Sequence, residues 1–354
     1  MTKTSKATFL LGVLASFFWL QFAGTVQART LTTSALKWRE TTRFPEPRSG
    51  YAAGIIDGEL VIAGGTYWTG TPGHWTKKLF SATTQAFDPL SERWEKLPNL
   101  PVPLGYPASA VVGNRLFVMG GYTGHKINRE TFVLERSGGR YLWSVLQEKS
   151  PARIFASAVS RGKLIYLVGG TRLFEAFDAA GTCCTSNTAT KSLFVFDTEH
   201  PARGWQKLPS YPGEARWLST VAIDGNSIWL FGGLFQGSLK SPATRFRGVL
   251  RYNLQKQQWS AMPPMPKQVA SGQPLCSLAH DNLIFLFTGH KQVWQFDLRT
   301  HLYTETTPMP KEVYVGGFFW LDHRMIGAGG ESIPAGPRRR SPHTFIVQIF
   351  PAEN

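Results

Sequence analysis

Cysteine is scarce in this 354-residue chain, which holds three, and Cys183 and Cys184 are adjacent. An odd count leaves one thiol over, and neighbours in sequence strain the peptide between them if they join, so cysteine defines no covalent framework. Cys276 falls in an apolar strand pattern and is expected to be buried and inert. No Cys/His cluster has the spacing of a zinc site, and no zinc is expected. After Gly24 no apolar stretch is long enough to cross a bilayer. Acidic residues are also few, 23 against 38 basic ones, for a formal charge of +15. Such a balance suits an anionic partner. A basic helix or stripe is missing too, which argues against nucleic acid. Acidic sugars, anionic glycans and plain surface solvation remain.

The N-terminus carries the one long apolar run, Ala7 to Gly24, preceded by Lys3 and Lys6 and followed by small residues at Val26 and Ala28. A basic region, an apolar region and a small-x-small site predict a secretory signal peptide over 1–28, cleaved before Arg29. An uncleaved anchor is the alternative, since the run can span a membrane. The expectation is an exported protein, periplasmic or secreted from a bacterium, with one domain over 29–354 and no stable membrane insertion after cleavage.

What fills that domain is a beat. Trp38, Trp94, Trp143, Trp205, Trp259 and Tyr303 are followed by Gly64-Gly65, Gly120-Gly121, Gly169-Gly170, Gly232-Gly233, Thr288-Gly289 and Gly329-Gly330, at offsets of 26, 26, 26, 27, 29 and 26 residues. Each unit adds a proline-rich connector such as Leu97-Pro98-Asn99-Leu100-Pro101, and a small-residue strand such as Ala108-Ser109-Ala110-Val111-Val112. A polar turn and a short apolar run ending at the glycines complete a tight hairpin. A third strand carries Phe87-Asp88, Phe196-Asp197, Tyr252-Asn253 or Phe296-Asp297, and the fourth holds the tryptophan. Repeats of this length built from strands predict a radial β-propeller, all-β.

The doubled glycine, downstream aromatic and tryptophan together resemble the Kelch repeat from residue 36 to about 350. Six copies imply six blades. The chain enters at a tryptophan strand, Leu36–Arg39, and leaves on a third-strand pattern, Thr344–Ile349. The N-terminal strand is therefore expected to close the last blade, removing an open sheet edge. The glycines are expected to let strands approach near the axis, and the tryptophans to pack between sheets.

Long insertions all follow the glycines, at 66–84, 122–130, 171–190, 234–248 and 331–342, which marks one face as the working face. The first insertion sets Trp68 beside Lys77 and Lys78; the third holds Arg172, Glu175 and Asp178; the fourth holds Lys240, Arg245 and Arg247. Arg48, Tyr106, Arg153, Arg216, Lys267 and Tyr314 stand at the starts of the innermost strands. A cationic ring there would grip a carboxylate, arginine doing so through two parallel bonds; each arginine taken alone reads equally as a brace for its loop.

The segment Gly329-Gly330-Glu331-Ser332-Ile333-Pro334-Ala335-Gly336-Pro337-Arg338-Arg339-Arg340 sets a carboxylate directly after the glycines and brings arginines back towards it. It resembles the Gly-Glu…Pro-Gly-x-Arg segment of exported bacterial Kelch proteins of the N-acetylneuraminate epimerase (sialic acid mutarotase) type. The resemblance implies a catalytic Glu331 with Arg338 or, one residue on, Arg339; from their positions on the working face, Arg48, Arg153, Arg216, Tyr106, Tyr314 and Trp68 are expected to hold the substrate. It implies acid/base opening of an acidic sugar ring with no cofactor. The other reading is a non-catalytic propeller that binds a glycan or protein partner on the same face. A hydrolytic sialidase is a weaker alternative, since its repeated Ser-x-Asp-x-Gly-x-x-Trp boxes are missing. A copper oxidase has no histidine pair selected by spacing among His74, His125, His290 and His343.

Overall fold

The apolar runs before the glycines form the second strands of six four-stranded antiparallel sheets: Glu59–Ala63, Arg115–Met119, Leu164–Val168, Ser227–Phe231, Leu283–Thr288 and Arg324–Ala328. These strands read as continuous hydrophobic runs because both faces are covered by neighbouring sheets; Ser227–Phe231 is buried at every position. This computed structural model describes residues 34–71, 73–172, 189–235, 242–271, 274–313, 316–332 and 339–351. The expected signal segment, Glu175, Asp178, Cys183, Cys184, Lys240, Tyr314 and Arg338 lie outside the described residues.

Each sheet is one blade. The first runs Ala52–Ile56, Glu59–Ala63, Thr84–Asp88, Arg93–Leu97 from inside to outside. The last is assembled from both ends of the chain: Gly317–Leu321, Arg324–Ala328 and Thr344–Pro351, completed by Ser34–Glu40 with Trp38 opposite Val347. The N-terminal strand closes the ring as the sequence predicts.

The core is divided among the seams. One cluster joins Ile56, Val61 and Leu97 of the first blade to Leu116, Val118 and Phe132 of the second. The closing seam joins Phe44, Leu60, Ile62 and Phe87 to Ile326, Ala328 and Ile346. Each Leu, Ile or Phe so enclosed contributes about 1.5–3 kcal/mol relative to exposure. Around the axis the inner strands use small residues and leave a channel of about 580 Å³. Their hydroxyls tie neighbouring blades: Ser109 donates to the Ala53 carbonyl at 3.0 Å and Ser160 to that of Val111 at 2.6 Å.

The repeat signature now has causes. The second glycine donates its N–H to the connector of the next blade: Gly65 to Leu104, Gly121 to Arg153 and Gly330 to Arg48, each at 2.7 Å. A Cβ on Gly120 would stand 2.2 Å from the Arg153 carbonyl, and its φ is +65°, so only glycine fits that crossing. The carboxylate of the aromatic-Asp pair caps the turn into the fourth strand; Asp297 accepts from the backbone N–H groups of Arg299 at 2.8 Å and Thr300 at 2.9 Å. Its aromatic neighbour faces the outer aromatic directly, as Phe87 faces Trp94 and Tyr252 faces Trp259. The half-buried indoles reach the preceding connector: Trp143 donates to the Pro98 carbonyl at 2.9 Å and Trp259 to that of Pro209 at 2.8 Å.

Candidate functional site

The segments that follow the glycines fold as small hairpins on one face: Thr66–Thr71 with His74–Phe80, Leu234–Phe235 with Thr244–Arg245, and Glu331–Ser332 with Arg339–Arg340. Bridges between Ser49 and Thr66, Gly105 and Tyr122, Ile154 and Thr171, and Trp217 and Leu234 put the blade-to-blade connectors on that same face.

In the last hairpin the Ser341 N–H donates to the Gly330 carbonyl at 2.9 Å, which sets the register and makes Glu331 face Arg340. Arg340 Nη1 donates to the Glu331 carboxylate, and the two side chains are 6% and 10% exposed. Arg340 then crosses to the first blade, where Nε donates to the Thr66 carbonyl at 2.9 Å and Nη2 to its hydroxyl at 3.1 Å. The guanidinium stands over the Trp68 ring at 5.8 Å, and the Lys78 ammonium lies 4.7 Å from the same ring. Burial pulls Arg340 down to about 10, with the nearby Tyr106 acting the other way, and it is a cation at neutral pH.

Beside this pair is a cavity of about 530 Å³ lined by Glu46, Pro47, Arg48, Tyr67, Trp68, Ser81, Thr83, Arg339 and Arg340. Three arginines against one glutamate give the lining a positive balance, and the low-dielectric wall strengthens its pull on an anion. Arg48 is 1% exposed yet lines the cavity. It donates to Glu46 at 2.8 Å and to Gln85 at 3.1 Å, and also to the Thr83 hydroxyl. Burial lowers its pKa, and Glu46 offsets part of that. Arg339 is exposed and makes no ion pair among the described residues. The indole N–H of Trp68 has no partner among the described residues.

Of the residues singled out in the sequence, Arg48, Trp68 and Arg339 meet at this cavity, and Glu331 stands behind it through Arg340. Tyr106 connects to the group by its hydroxyl, 3.3 Å from that of Thr66, and by the Lys78 ammonium, 5.2 Å from its ring. Its backbone is left-handed at φ 57°, its N–H donates to the Gly50 carbonyl at 2.6 Å, and its ring packs on Phe155 at 4.4 Å. Arg153 and Arg216 stand elsewhere and brace their own blades. Arg153 donates to the Ala152 carbonyl at 2.8 Å and the Ser192 hydroxyl at 3.3 Å. Arg216 donates to the carbonyls of Gly232 at 3.0 Å and Gly248 at 3.1 Å. Burial, with the positive charge of Arg172 adding to it, pulls Arg153 down to about 10. Lys267 opens a five-residue helix, Lys267–Ser271, where the sequence suggested the start of a strand.

Sequence reasoning missed two residues of the site. Arg340 was the third arginine of a run, and its role follows from pairing outward from Gly330 and Ser341, since the first cross-strand pair beyond them is Glu331 with Arg340. Glu46 lies in a connector, Phe44-Pro45-Glu46-Pro47-Arg48, that reads as a spacer until the fold places it under the Thr66–Phe80 hairpin's cavity.

Comparison with known proteins agrees with the fold. The Kelch motif matches residues 47–101 and 218–266, the first and fourth blades. The N-acetylneuraminate epimerase of Vibrio cholerae is 32% identical over 108 residues, 30% of this chain and 28% of that protein. The protein of the same name from Pasteurella multocida is 25% identical over 250 residues, 64% of this chain and 63% of that protein. The chain thus spans less than two thirds of the length of either relative. The solved structure of YjhT superposes with a TM-score of 0.63 at 13% identity, covering 87% of this chain and 99% of that one, a likeness of fold. This is a six-bladed Kelch-repeat propeller that resembles proteins of the sialic acid mutarotase type.

Proposed function

We propose that the cavity between the Glu331–Arg340 hairpin and the Thr66–Phe80 hairpin binds an acidic sugar such as N-acetylneuraminate and accelerates the interconversion of its anomers. The observation that carries this reading is the lining itself: Arg48, Arg339 and Arg340 converge on a space walled by Trp68 and Tyr67. Arginines hold a carboxylate, and aromatic faces take the apolar face of a sugar ring. In this reading Arg339 grips the substrate carboxylate, since it is the exposed arginine of the three.

Mutarotation breaks the bond between the anomeric carbon and the ring oxygen. The anomeric hydroxyl loses its proton, the ring oxygen gains one, and closure on the other face reverses both transfers. Arg340 would stabilise the negative charge that develops on the ring oxygen. Glu331 would keep that guanidinium in place. The 1–28 segment would direct the protein out of the cytoplasm, so that it meets sugars released outside the cell.

A binding-only role is favoured by one feature, the enclosure of Glu331 against Arg340, which leaves the cavity able to hold a sugar without turning it over. Anomer exchange measured by NMR over a panel of acidic and neutral sugars separates the two. Mutarotation predicts acceleration confined to carboxylated sugars, with Arg339→Ala raising KM. Tight binding with an exchange rate equal to buffer would leave the propeller a lectin-like module.

A further inference from the structure

We infer that Glu46 is the catalytic carboxylate that touches the anomeric hydroxyl, with Glu331 acting through Arg340; the inference rests on the mutarotation reading above. Ring opening needs a proton acceptor with a free oxygen facing the sugar. Glu331 is 8% exposed and closed against Arg340. The carboxylate that lines the cavity is that of Glu46, whose side chain is 44% exposed.

Its two oxygens have different surroundings. Oε2 accepts from Arg48 Nη1 at 2.8 Å and from the Thr83 hydroxyl at 2.8 Å. Oε1 accepts no hydrogen bond from the described residues. One oxygen anchored and the other open is the arrangement of a held base, and the hold is reinforced along the chain. Pro45 and Pro47 flank Glu46, so the backbone on both sides is restricted before any substrate arrives. Arg48 is itself fixed by Gln85 and by cation–π contact with Phe44 at 5.2 Å. A structural brace for Arg48 would not need a carboxylate with one oxygen unbonded among the described residues beside a cavity of arginines and tryptophan.

The step balances with this carboxylate alone. Glu46 Oε1 removes the proton of the anomeric hydroxyl. The electron pair left on that oxygen forms the carbonyl, and the bond to the ring oxygen breaks with its pair retained by that oxygen. Glu46, now protonated, returns the proton to the ring oxygen, attached to the same carbon a moment before. Arg340 stabilises the transient negative charge on the ring oxygen, and Glu331 positions Arg340. Closure on the opposite carbonyl face runs the same transfers backwards, and Glu46 ends as it began.

The test uses the mature protein, N-acetylneuraminate, and two variants at this position. Glu46→Gln keeps the shape and an acceptor oxygen for Arg48 and Thr83, so thermal unfolding should match wild type. Removing a general base predicts a loss of about 10²–10⁴-fold in kcat, with the dissociation constant of the sugar, by calorimetry, within about threefold of wild type. Glu46→Ala should lose as much and regain part of its rate in formate, which supplies a carboxylate to the vacated space. Formate should do nothing for Glu331→Gln, whose defect is a misplaced arginine. Exchange by Glu46→Gln within about threefold of a wild type that does accelerate the reaction would overturn the role of Glu46 and leave the mutarotase standing. An equal rise in dissociation constant and KM, with kcat kept and no formate rescue, would make Glu46 a binding residue and also overturn it. A wild type that does not accelerate exchange at all removes both readings together.

Discussion

Glu331 and Arg340 occupy directly opposed positions of a two-pair ladder, and the arginine continues from that ladder to the Thr66 carbonyl of the neighbouring blade. The ion pair therefore sits on the seam where the ring closes. Breaking a buried pair from one side strands the other charge. Arg340→Met should cost about 3–5 kcal/mol of stability, while Glu331→Leu combined with Arg340→Met should recover most of the loss. Urea unfolding followed by tryptophan fluorescence reads both. A single Arg340→Met variant as stable as wild type would mean that the pair is solvated.

The outer tryptophans Trp94, Trp143 and Trp259 tie their blades to the connector before each. Trp143→Phe keeps the ring and removes the N–H that donates to the Pro98 carbonyl at 2.9 Å. The loss should be about 0.5–1.5 kcal/mol. Trp205 provides a control, since its indole N–H finds no partner among the described residues; Trp205→Phe should cost less than Trp143→Phe in the same urea titration.

Gly50 stands where a Cβ would come within 2.5 Å of the Tyr106 ring, at φ +61°. Gly50→Ala has to move that ring, and the Lys78 ammonium and Thr66 hydroxyl beside it, at a cost of about 1–3 kcal/mol. Substrate affinity should fall along with stability, because Thr66 also holds Arg340. A stable variant with weakened affinity would separate the two effects, and one with neither change would contradict the contact.

Cys276 lies on the inner strand of the fifth blade, half-buried beside the axial channel rather than fully buried as the sequence suggested, and desolvation pushes its thiol up to about 11 from 9.0. The folded state therefore holds its proton more tightly than the unfolded state. The stability this contributes is complete below about pH 9 and is lost as the pH rises through 11. Alkylation of Cys276, followed by site-resolved mass spectrometry, should be negligible at pH 8 in the folded protein and fast in urea. Rapid labelling of the native protein at pH 8 would show an accessible thiol.

Much of the scaffold was legible in the sequence because each repeat mark answers one local demand. The glycines are required by a connector crossing within hydrogen-bond distance. The aspartates cap a turn, and the aromatics face one another across adjacent strands. Even ring closure could be read, since Leu36–Arg39 and Thr344–Ile349 are incomplete as separate blades. The site was legible only in part. Arg48, Trp68, Arg339 and Glu331 could be picked out by residue type and position on the loop-rich face. Arg340 required the register of a hairpin set by Gly330 and Ser341. Glu46 required the fold, because its position under a hairpin twenty and more residues later leaves no pattern in its own connector. Arg153 and Arg216 show the converse: like Arg48 they brace their own blades, but they do not line this cavity.

The measurement that bears most directly on the proposed function is two-dimensional exchange NMR of N-acetylneuraminate at neutral pH with catalytic amounts of the protein. The account predicts cross-peaks between the two anomers that grow with protein concentration, exceed those in buffer, and vanish with Glu331→Gln. Cross-peaks no stronger than in buffer, from protein shown by calorimetry to bind the sugar, would contradict it.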